Sequence, residues 1–159
     1  MIYPREIKQD FLCYAEDVWK AEMDAPAVQR SAVTCWLPDY EAFCSFAGGE
    51  CAEIWGYFDD CEKLLFVVFV EKNCREKAIV HLSVLKKFDL REGAAAICQL
   101  RDAHFAIGLK IIDGWILKKN RGLREFIKQI GFIPTELEMM CGVSHGKPLE
   151  WQLFQIRRI

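Results

Sequence analysis

Apolar side chains recur along this chain at two different spacings, and the spacing changes with region. From Arg5 to Met23 they fall at Ile7, Phe11, Leu12, Ala15, Val18, Trp19 and Met23. Steps of three and four place them on one face of a helix. Pro4 suits a first helical turn, and Asp24 and Pro26 end the pattern. Residues 27–37 fit neither spacing. The segment LPDYEAFCSFAGG, 37–49, opens with a proline and closes on two glycines, which predicts a short helix with a clear stop.

The middle of the chain has the other rhythm. CAEIWGYF (51–58), KLLFVVFV (63–70) and KAIVHLSVL (77–85) are separated by the turn-forming stretches DDCE and EKNCRE, the pattern of a three-strand meander. Every residue from Leu64 to Val70 is apolar, as expected of a strand buried on both faces. The third segment alternates, with Val80, Leu82 and Val84 on one side and His81 and Ser83 on the other.

Helical spacing returns over 90–107, where Leu90, Ala94, Ile97, Cys98 and Phe105 share a face. Asp89 can cap its start and Gly108 ends it. KIIDGWILK, 110–118, reads as another strand. In NRGLREFIKQIGF, 120–132, Asn120 precedes an amphipathic helix with Leu123, Phe126, Ile127 and Ile130 on its buried side and Gly131 as its C-terminal glycine. Two more strands are predicted near 133–140 and 150–158, with CGVSHGKPL between them as a loop. The order of elements predicts one mixed α/β domain over residues 1–159: a central mixed sheet of about six strands flanked by helices.

Composition narrows the function classes. At 52% hydrophobic residues the chain has the makings of a packed core and is not a disordered segment. A net charge of −2 argues against a nucleic-acid footprint. The longest apolar run, LLFVVFV, is far short of the ~20 residues of a membrane span. The opening MIYPREIKQDF lacks the apolar region of a signal peptide. Eight cysteines are spread without a single C-x-x-C pair, so reduced thiols are expected and a metal site is not. A cytoplasmic location follows as the expectation.

The stretch LREGAA, 90–95, stands where the third meander strand gives way to the long helix. Helix starts present free N–H groups and a positive dipole end, and a glycine there admits a phosphate close to the backbone. With the order of elements, this stretch resembles the GNAT superfamily of N-acetyltransferases. In that family a loop of the form Q/R-x-x-G-x-G/A opens the long helix and holds the pyrophosphate of acetyl-CoA. Gly93 and Ala95 occupy the two small positions, and Leu90 stands where the family has Gln or Arg. Asn120, Gly131 and Phe132 match a second family pattern, an Asn after the next strand and a Gly-Phe closing the helix. Many members carry a tyrosine within that helix as general acid, and the corresponding residue here is Ile127. The resemblance covers roughly residues 50–140.

The resemblance implies acetyl-CoA (or CoA) as cofactor, held by Val84, Leu85, Leu90, Arg91, Glu92, Gly93, Ala94, Ala95 and Asn120. His81 is the candidate general base, because its ordinary pKa suits proton transfer near neutrality; a hydrogen-bonded sheet histidine is the plainer alternative. Glu53 is expected to face the same cleft with Trp55 and Tyr57, and Tyr57 to stand in for the missing acid. Asp113 is a further candidate. Two functions follow. One is an acyl-CoA-dependent N-acyltransferase acting on a small-molecule or protein amine. The other is a GNAT-fold protein without catalysis that works by binding or assembly, as in the small divergent GNAT-like proteins of tailed phages associated with head assembly. A protein partner or a homodimer is compatible with either, and neither nucleic acid nor membrane is expected.

Overall fold

The computed structural model describes residues 1–49 and 52–159. Its elements run β1 (Tyr3–Glu6), α1 (Leu12–Asp24), a 3-10 turn (Ala27–Gln29), α2 (Ala32–Trp36), α3 (Tyr40–Gly48), β2 (Ala52–Phe58), β3 (Leu64–Cys74), β4 (Lys77–Val84), α4 (Leu90–Ala106), β5 (Ile111–Leu117), α5 (Arg121–Ile130), β6 (Ile133–Ser144) and β7 (Lys147–Arg157). The strands form one sheet in the order β1-β2-β3-β4-β5-β7-β6. Every pairing is antiparallel except β4 with β5.

The sheet has seven strands where the sequence predicts about six, and the additional one is β1. The helix expected from Arg5 starts only at Leu12. Residues 3–6 instead pair with β2, from Tyr3 opposite Phe58 to Glu6 opposite Trp55. An edge strand tolerates Pro4, which has no N–H to donate, and Tyr3 stacks on Phe58 with ring centres 6.1 Å apart. Ile7 and Phe11 are buried as the helical stripe requires, but they reach the core from the turn ahead of α1.

The second difference is CGVSHGKPL. It is not a loop but the tip of the β6–β7 hairpin, closed by His145 and Gly146 with φ of 50° and 75°. Two positive φ values in succession are what a two-residue hairpin turn requires. The alternation that would have announced it is missing because β6 is an outer strand, exposed along most of its length and interrupted by two register shifts. The segment expected as a strand from Cys51 is β2 from Ala52 on, and Cys51 lies outside the described residues.

Two cores lie on opposite faces of the sheet. α4 and α5 cover one, over Tyr57, Phe66, Val68, Ile112 and Phe154. α1 and α3 cover the other, over Ile54, Phe58, Val67 and Phe69, and it continues under α2 as Ala32, Leu117, Leu149 and Trp151. β3 feeds both, and Leu64–Val70 is buried at every position as predicted.

α5 is capped as the sequence suggests. Asn120 Oδ1 accepts from Leu123 N–H at 3.1 Å. At the far end Gly131 turns left-handed, with φ 102°, and Phe132 N–H returns to Ile127 C=O at 3.1 Å. A Cβ on residue 131 would lie 2.9 Å from Ile156 Cδ1. Gly131→Ala therefore combines left-handed strain with a core clash, and should lower stability by about 1–2 kcal/mol in urea unfolding. An unchanged midpoint would count against this closure.

Candidate active site

β4 and β5 run parallel but stay paired only at Lys77–Ile111, Ala78–Ile112 and Ile79–Asp113. Beyond that point each follows its other neighbour, β4 along β3 as far as Val84 opposite Phe66 and β5 along β7 as far as Leu117 opposite Trp151. The facing edges, from Val80 and Gly114 onward, have parted. Asp113 stands at the crotch, almost fully buried, with Oδ2 2.7 Å from Lys77 Nζ and Oδ1 accepting from Gln155 Nε2 at 2.8 Å. It ties together β4, β5 and β7, and its oxygens are engaged. Asp113, a further candidate in the sequence, is thus engaged in holding the strands together.

On the α4/α5 face the gap is apolar. A cavity of about 50 Å³ lies among Val80, Leu82, Gly114, Ile116, Ile97 and the α5 residues Leu123, Phe126, Ile127 and Ile130. Ile127 is part of this buried wall, so α5 offers no proton donor here.

On the α1/α2 face the gap is polar. His81 and Ser83 are buried on β4. His81 sits edge-on to Trp36 and Phe46, with ring centres 6.0 and 6.1 Å away. Its Nε2 lies 3.5 Å from Glu71 Oε2, and its Nδ1 is buried without a hydrogen-bond partner among the described residues. The indole Nε1 of Trp36 is likewise unpartnered. The His81 contact holds the Glu71 carboxyl below its ordinary value.

The sequence pattern missed Glu22, which is 3% exposed beside this gap. Its Oε2 accepts from Thr34 Oγ1 at 2.6 Å and from Ser31 N–H at 2.8 Å. Ser83 Oγ in turn donates to Ser31 Oγ at 3.4 Å, so a chain of polar contacts runs from α1 through α2 to β4. Burial pushes the Glu22 carboxyl above the ordinary range, against the lowering effect of Thr34, Ser31 and Ser83. A signal was present in the sequence: Glu22 continues the stripe of Ala15 and Val18 at helical spacing, a carboxylate where an apolar side chain is expected. The same polar surroundings do not activate Cys35 on α2, whose thiol burial pushes up to about 11.

Glu53 and Tyr57 lie elsewhere. Both are on the α4/α5 face of β2, opposite to the side from which His81 projects. Glu53 forms an ion pair with Lys72 and accepts from His104 Nε2 at 2.8 Å and Trp55 Nε1 at 3.2 Å. Burial acts to raise its pKa, but these three bonds outweigh it and hold the carboxyl low. It pins β2 to the C-terminal end of α4. Tyr57 stacks on Phe66 at 4.3 Å, fully buried, and desolvation moves its phenol far upward. With β3 between it and β4, it does not reach the gap. The expected grouping of Glu53, Tyr57 and His81 in one cleft is therefore corrected: the sheet separates them, and only His81 borders the parted strands.

The expected cofactor residues gather at the open end of the gap, where β4 leads into α4. Val84 and Leu90 are about half exposed. Leu85 N–H is already given to Leu65 C=O at 2.9 Å. Asp89 caps α4, its Oδ1 accepting from Arg91 N–H at 2.9 Å and Glu92 N–H at 3.0 Å, while Gly93 N–H goes to Asp89 C=O at 2.9 Å. Ala94 and Ala95 lie inside the helix, where N–H groups serve the preceding turn. The expected cradle of free N–H groups from Arg91 to Ala95 is thus not presented. Gly93 has a separate reason to be glycine: a Cβ there would stand 2.4 Å from the Phe88 ring, which packs on Phe66. Asn120 is engaged in capping α5 through its Oδ1.

Known structures with the same arrangement cover essentially the whole chain. An N-acetyltransferase from Staphylococcus aureus matches with TM-score 0.75 at 12% identity, over 99% of this chain and 97% of that one. The fold is that of the GNAT acetyltransferases. An acetyltransferase of the GNAT family from Streptococcus pneumoniae matches with TM-score 0.69 at 13% identity, over 99% and 100%. Spermidine N-acetyltransferase from Vibrio cholerae, in complex with CoA and spermine, matches with TM-score 0.74 at 9% identity, over 98% and 95%. No protein-family model matches the sequence, and no curated protein does. Identities of this order establish the GNAT fold of the chain and leave its chemistry to its own residues.

Glu22 supplies a test of this buried polar patch. A carboxyl whose pKa is raised on folding binds its proton more tightly in the native state, so stability falls as pH rises through the folded pKa. Glu22→Gln keeps an oxygen for Ser31 and Thr34 and removes the charge. Between about pH 4.5 and about pH 8 its stability should fall less than that of the parent, ending higher at the alkaline side. A variant less stable than the parent at about pH 8 would show that the carboxylate is not penalised there.

Proposed function

We propose that this protein is an N-acyltransferase that moves an acyl group, acetyl from acetyl-CoA, to the primary amine of a small molecule. The observation that carries this reading is a buried imidazole nitrogen without a partner, beside two strands whose facing edges have parted. The complex of the Vibrio cholerae enzyme with CoA and spermine, on the same fold, supports a thioester donor and a small amine acceptor.

The parted edges suit the arm of such a donor. Among the described residues, backbone groups of Val80–Val84 and Gly114–Leu117 on the facing sides have no strand to pair with, and an extended amide-bearing arm can satisfy them as an added strand would. When bound, the donor supplies an electrophilic thioester carbonyl. The attacking amine must lose a proton, and His81 Nδ1 is placed to take it. With the ring N–H on Nε2, directed at Glu71 3.5 Å away, Nδ1 would carry the lone pair. Trp36 packs edge-on against the ring, which is buried. The departing thiolate finds no side-chain acid, since Ile127 has no proton to give and Tyr57 lies behind β3. Its proton comes from water, and turnover is slow by roughly the 10²–10⁴-fold that general acid catalysis contributes.

A cavity of about 510 Å³ opens at the end of β5, lined by Leu117, Lys119, Ser144, His145, Lys147, Pro148, Leu149 and Glu150. It shares Leu117 and Leu149 with the core under α2, which places it on the same face as His81. Lys119 and Lys147 outnumber Glu150 in this lining, and none of the three forms an ion pair among the described residues. This favours an acceptor that carries a carboxylate over a polycation.

A second reading is favoured by Asp89 at the helix start and by Ile127: a GNAT-fold protein that binds or assembles without catalysis, of the kind found in tailed phages. Thiol release from acetyl-CoA across a panel of amines separates the two. Slow turnover led by amino-acid-like acceptors is expected, with His81→Gln lowering kcat by about 10²–10⁴-fold while the variant stays folded. Full activity in His81→Gln would remove it as base, and polyamines as best acceptors would overturn the cavity argument. No turnover and no binding at millimolar donor would leave the assembly reading standing.

A further inference from the structure

β7 ends in two arginines beside a second cavity. β4 and β5 are paired at Lys77–Ile111 and part toward Val84 and Leu117, and Arg157 stands opposite Ile111, at the closed end. A cavity of about 730 Å³ opens there, with Arg101, Phe105, Ile133, Ile156, Arg157 and Arg158 in its lining. It arises because β7 outruns β6, which pairs with it only from Ile133 opposite Gln155. The residues before Ile133 leave the sheet: Phe132 is buried in the core under α4 and α5, and Gly131 turns left-handed at the end of α5. Arg158 N–H donates to Lys110 C=O at 2.8 Å on the β5 side. The alternation of an antiparallel strand therefore directs the N–H and C=O of Arg157 the other way, into the cavity. Neither is bonded among the described residues.

The charges flank this open edge on both faces. Successive side chains of a strand point to opposite sides. On one face Arg157 Nε donates to Gln155 Oε1 at 2.6 Å, and on the other Arg158 Nη1 donates to Phe105 C=O at 2.7 Å. Each guanidinium is thus positioned through one nitrogen by a neutral oxygen and keeps its other nitrogens to give. Neither forms an ion pair among the described residues, and the Asp102 carboxylate in the lining is bonded by Arg101. Phe105, Ile133 and Ile156 add apolar surface. A compact anion would meet one arginine or the other. A strand lying beside β7 presents successive side chains to both faces, where opposite charges across a strand pair attract.

We infer that this groove docks an extended acidic segment of a partner protein, added to the open edge of β7 as a short strand, with carboxylates on its two faces meeting Arg157 and Arg158. The inference goes beyond the acyltransferase reading and does not depend on it, because the groove and the parted strands lie at opposite ends of β5.

Fluorescence anisotropy of the full chain with a capped, labelled peptide, Ser-Leu-Glu-Glu-Val-Ser, tests this. Arg157→Glu and Arg158→Glu each reverse the charge on one face. Melting curves establish that the variants are folded, and Arg158→Gln takes the second place if Arg158→Glu is not. The parent should bind with a submillimolar Kd, and each variant should weaken binding by at least about tenfold. Raising salt from about 0.05 M to about 0.5 M should weaken it as well. A peptide N-methylated at both glutamates cannot donate to the strand and should also lose about tenfold. Equal binding of that peptide would leave charge alone as the cause and overturn the added strand. Unchanged affinity in both variants, or no binding at about 1 mM peptide, would overturn the site. A parent that is dimeric by light scattering and becomes monomeric as Arg158→Glu would give the groove to a second copy of this chain and overturn the separate partner.

Discussion

Backbone N–H and C=O groups inside a sheet need partners, and from Val80 and Gly114 onward the facing edges of β4 and β5 no longer provide them for each other. Nothing lets the gap close. β4 is held to β3 over its whole length, and β5 is held to β7 over its own. Strand twist then carries two separately anchored strands away from each other. Asp113, Lys77 and Gln155 fix where the parting begins. The helices answer this constraint, since each has to cover a sheet that is open in the middle: α5 with Leu123, Phe126 and Ile127 below, and α2 with Trp36 above.

The two covers differ in chemistry. Below the gap the lining is apolar and the space left is small. Above it, Glu22, Ser31, Thr34, His81 and Ser83 are all buried within one neighbourhood. A buried polar group left without a hydrogen bond costs about 1–3 kcal/mol, so most of these are bonded to one another. Among the described residues the exception is His81 Nδ1, and the Trp36 indole in edge contact with that ring has an unpartnered Nε1 as well. Unpartnered buried groups also occur at Tyr57 and Arg124, but there they stand singly. The pairing of two such nitrogens beside the parted strands sets this face apart from the apolar one.

Much of the fold is legible in the sequence because β3, α4 and α5 each express one strong periodicity. The seven apolar residues of Leu64–Val70 leave little alternative to a central strand, and Asn120 with Gly131 marks both ends of α5. What escapes the pattern lies at the edges of the sheet. β1 is four residues long and owes its place to its partner Phe58, a contact that no local spacing encodes. β6 shows no alternation because neither of its faces is consistently covered. The site divides in the same way. His81 and Ser83 can be assigned a shared face from β4 alone. Which of the two faces receives Glu53 depends on the register of β2 against β3, where a shift of one residue exchanges the faces. Glu22 falls outside a stripe defined by apolar side chains because a carboxylate fills that core position of α1.

The start of α4 shows how a sequence pattern can survive for a reason other than the one it suggests. Gly93 and Ala95 fit a cofactor loop, and in this chain Gly93 is also needed so that Phe88 can lie against the helix and reach Phe66 and Phe126. The packing demand holds whether or not a phosphate ever approaches. Small residues at these positions therefore say that something comes close to the helix, and the structure identifies a phenyl ring as one such neighbour. The state of the N–H groups is the more specific indicator, because a phosphate needs donors as well as room. Here the room next to Gly93 is filled by Phe88, and Asp89 holds the N–H groups of Arg91 and Glu92. At the start of α4, then, the packing of Phe88 and the Asp89 cap account for the small residues and the helix start without a ligand.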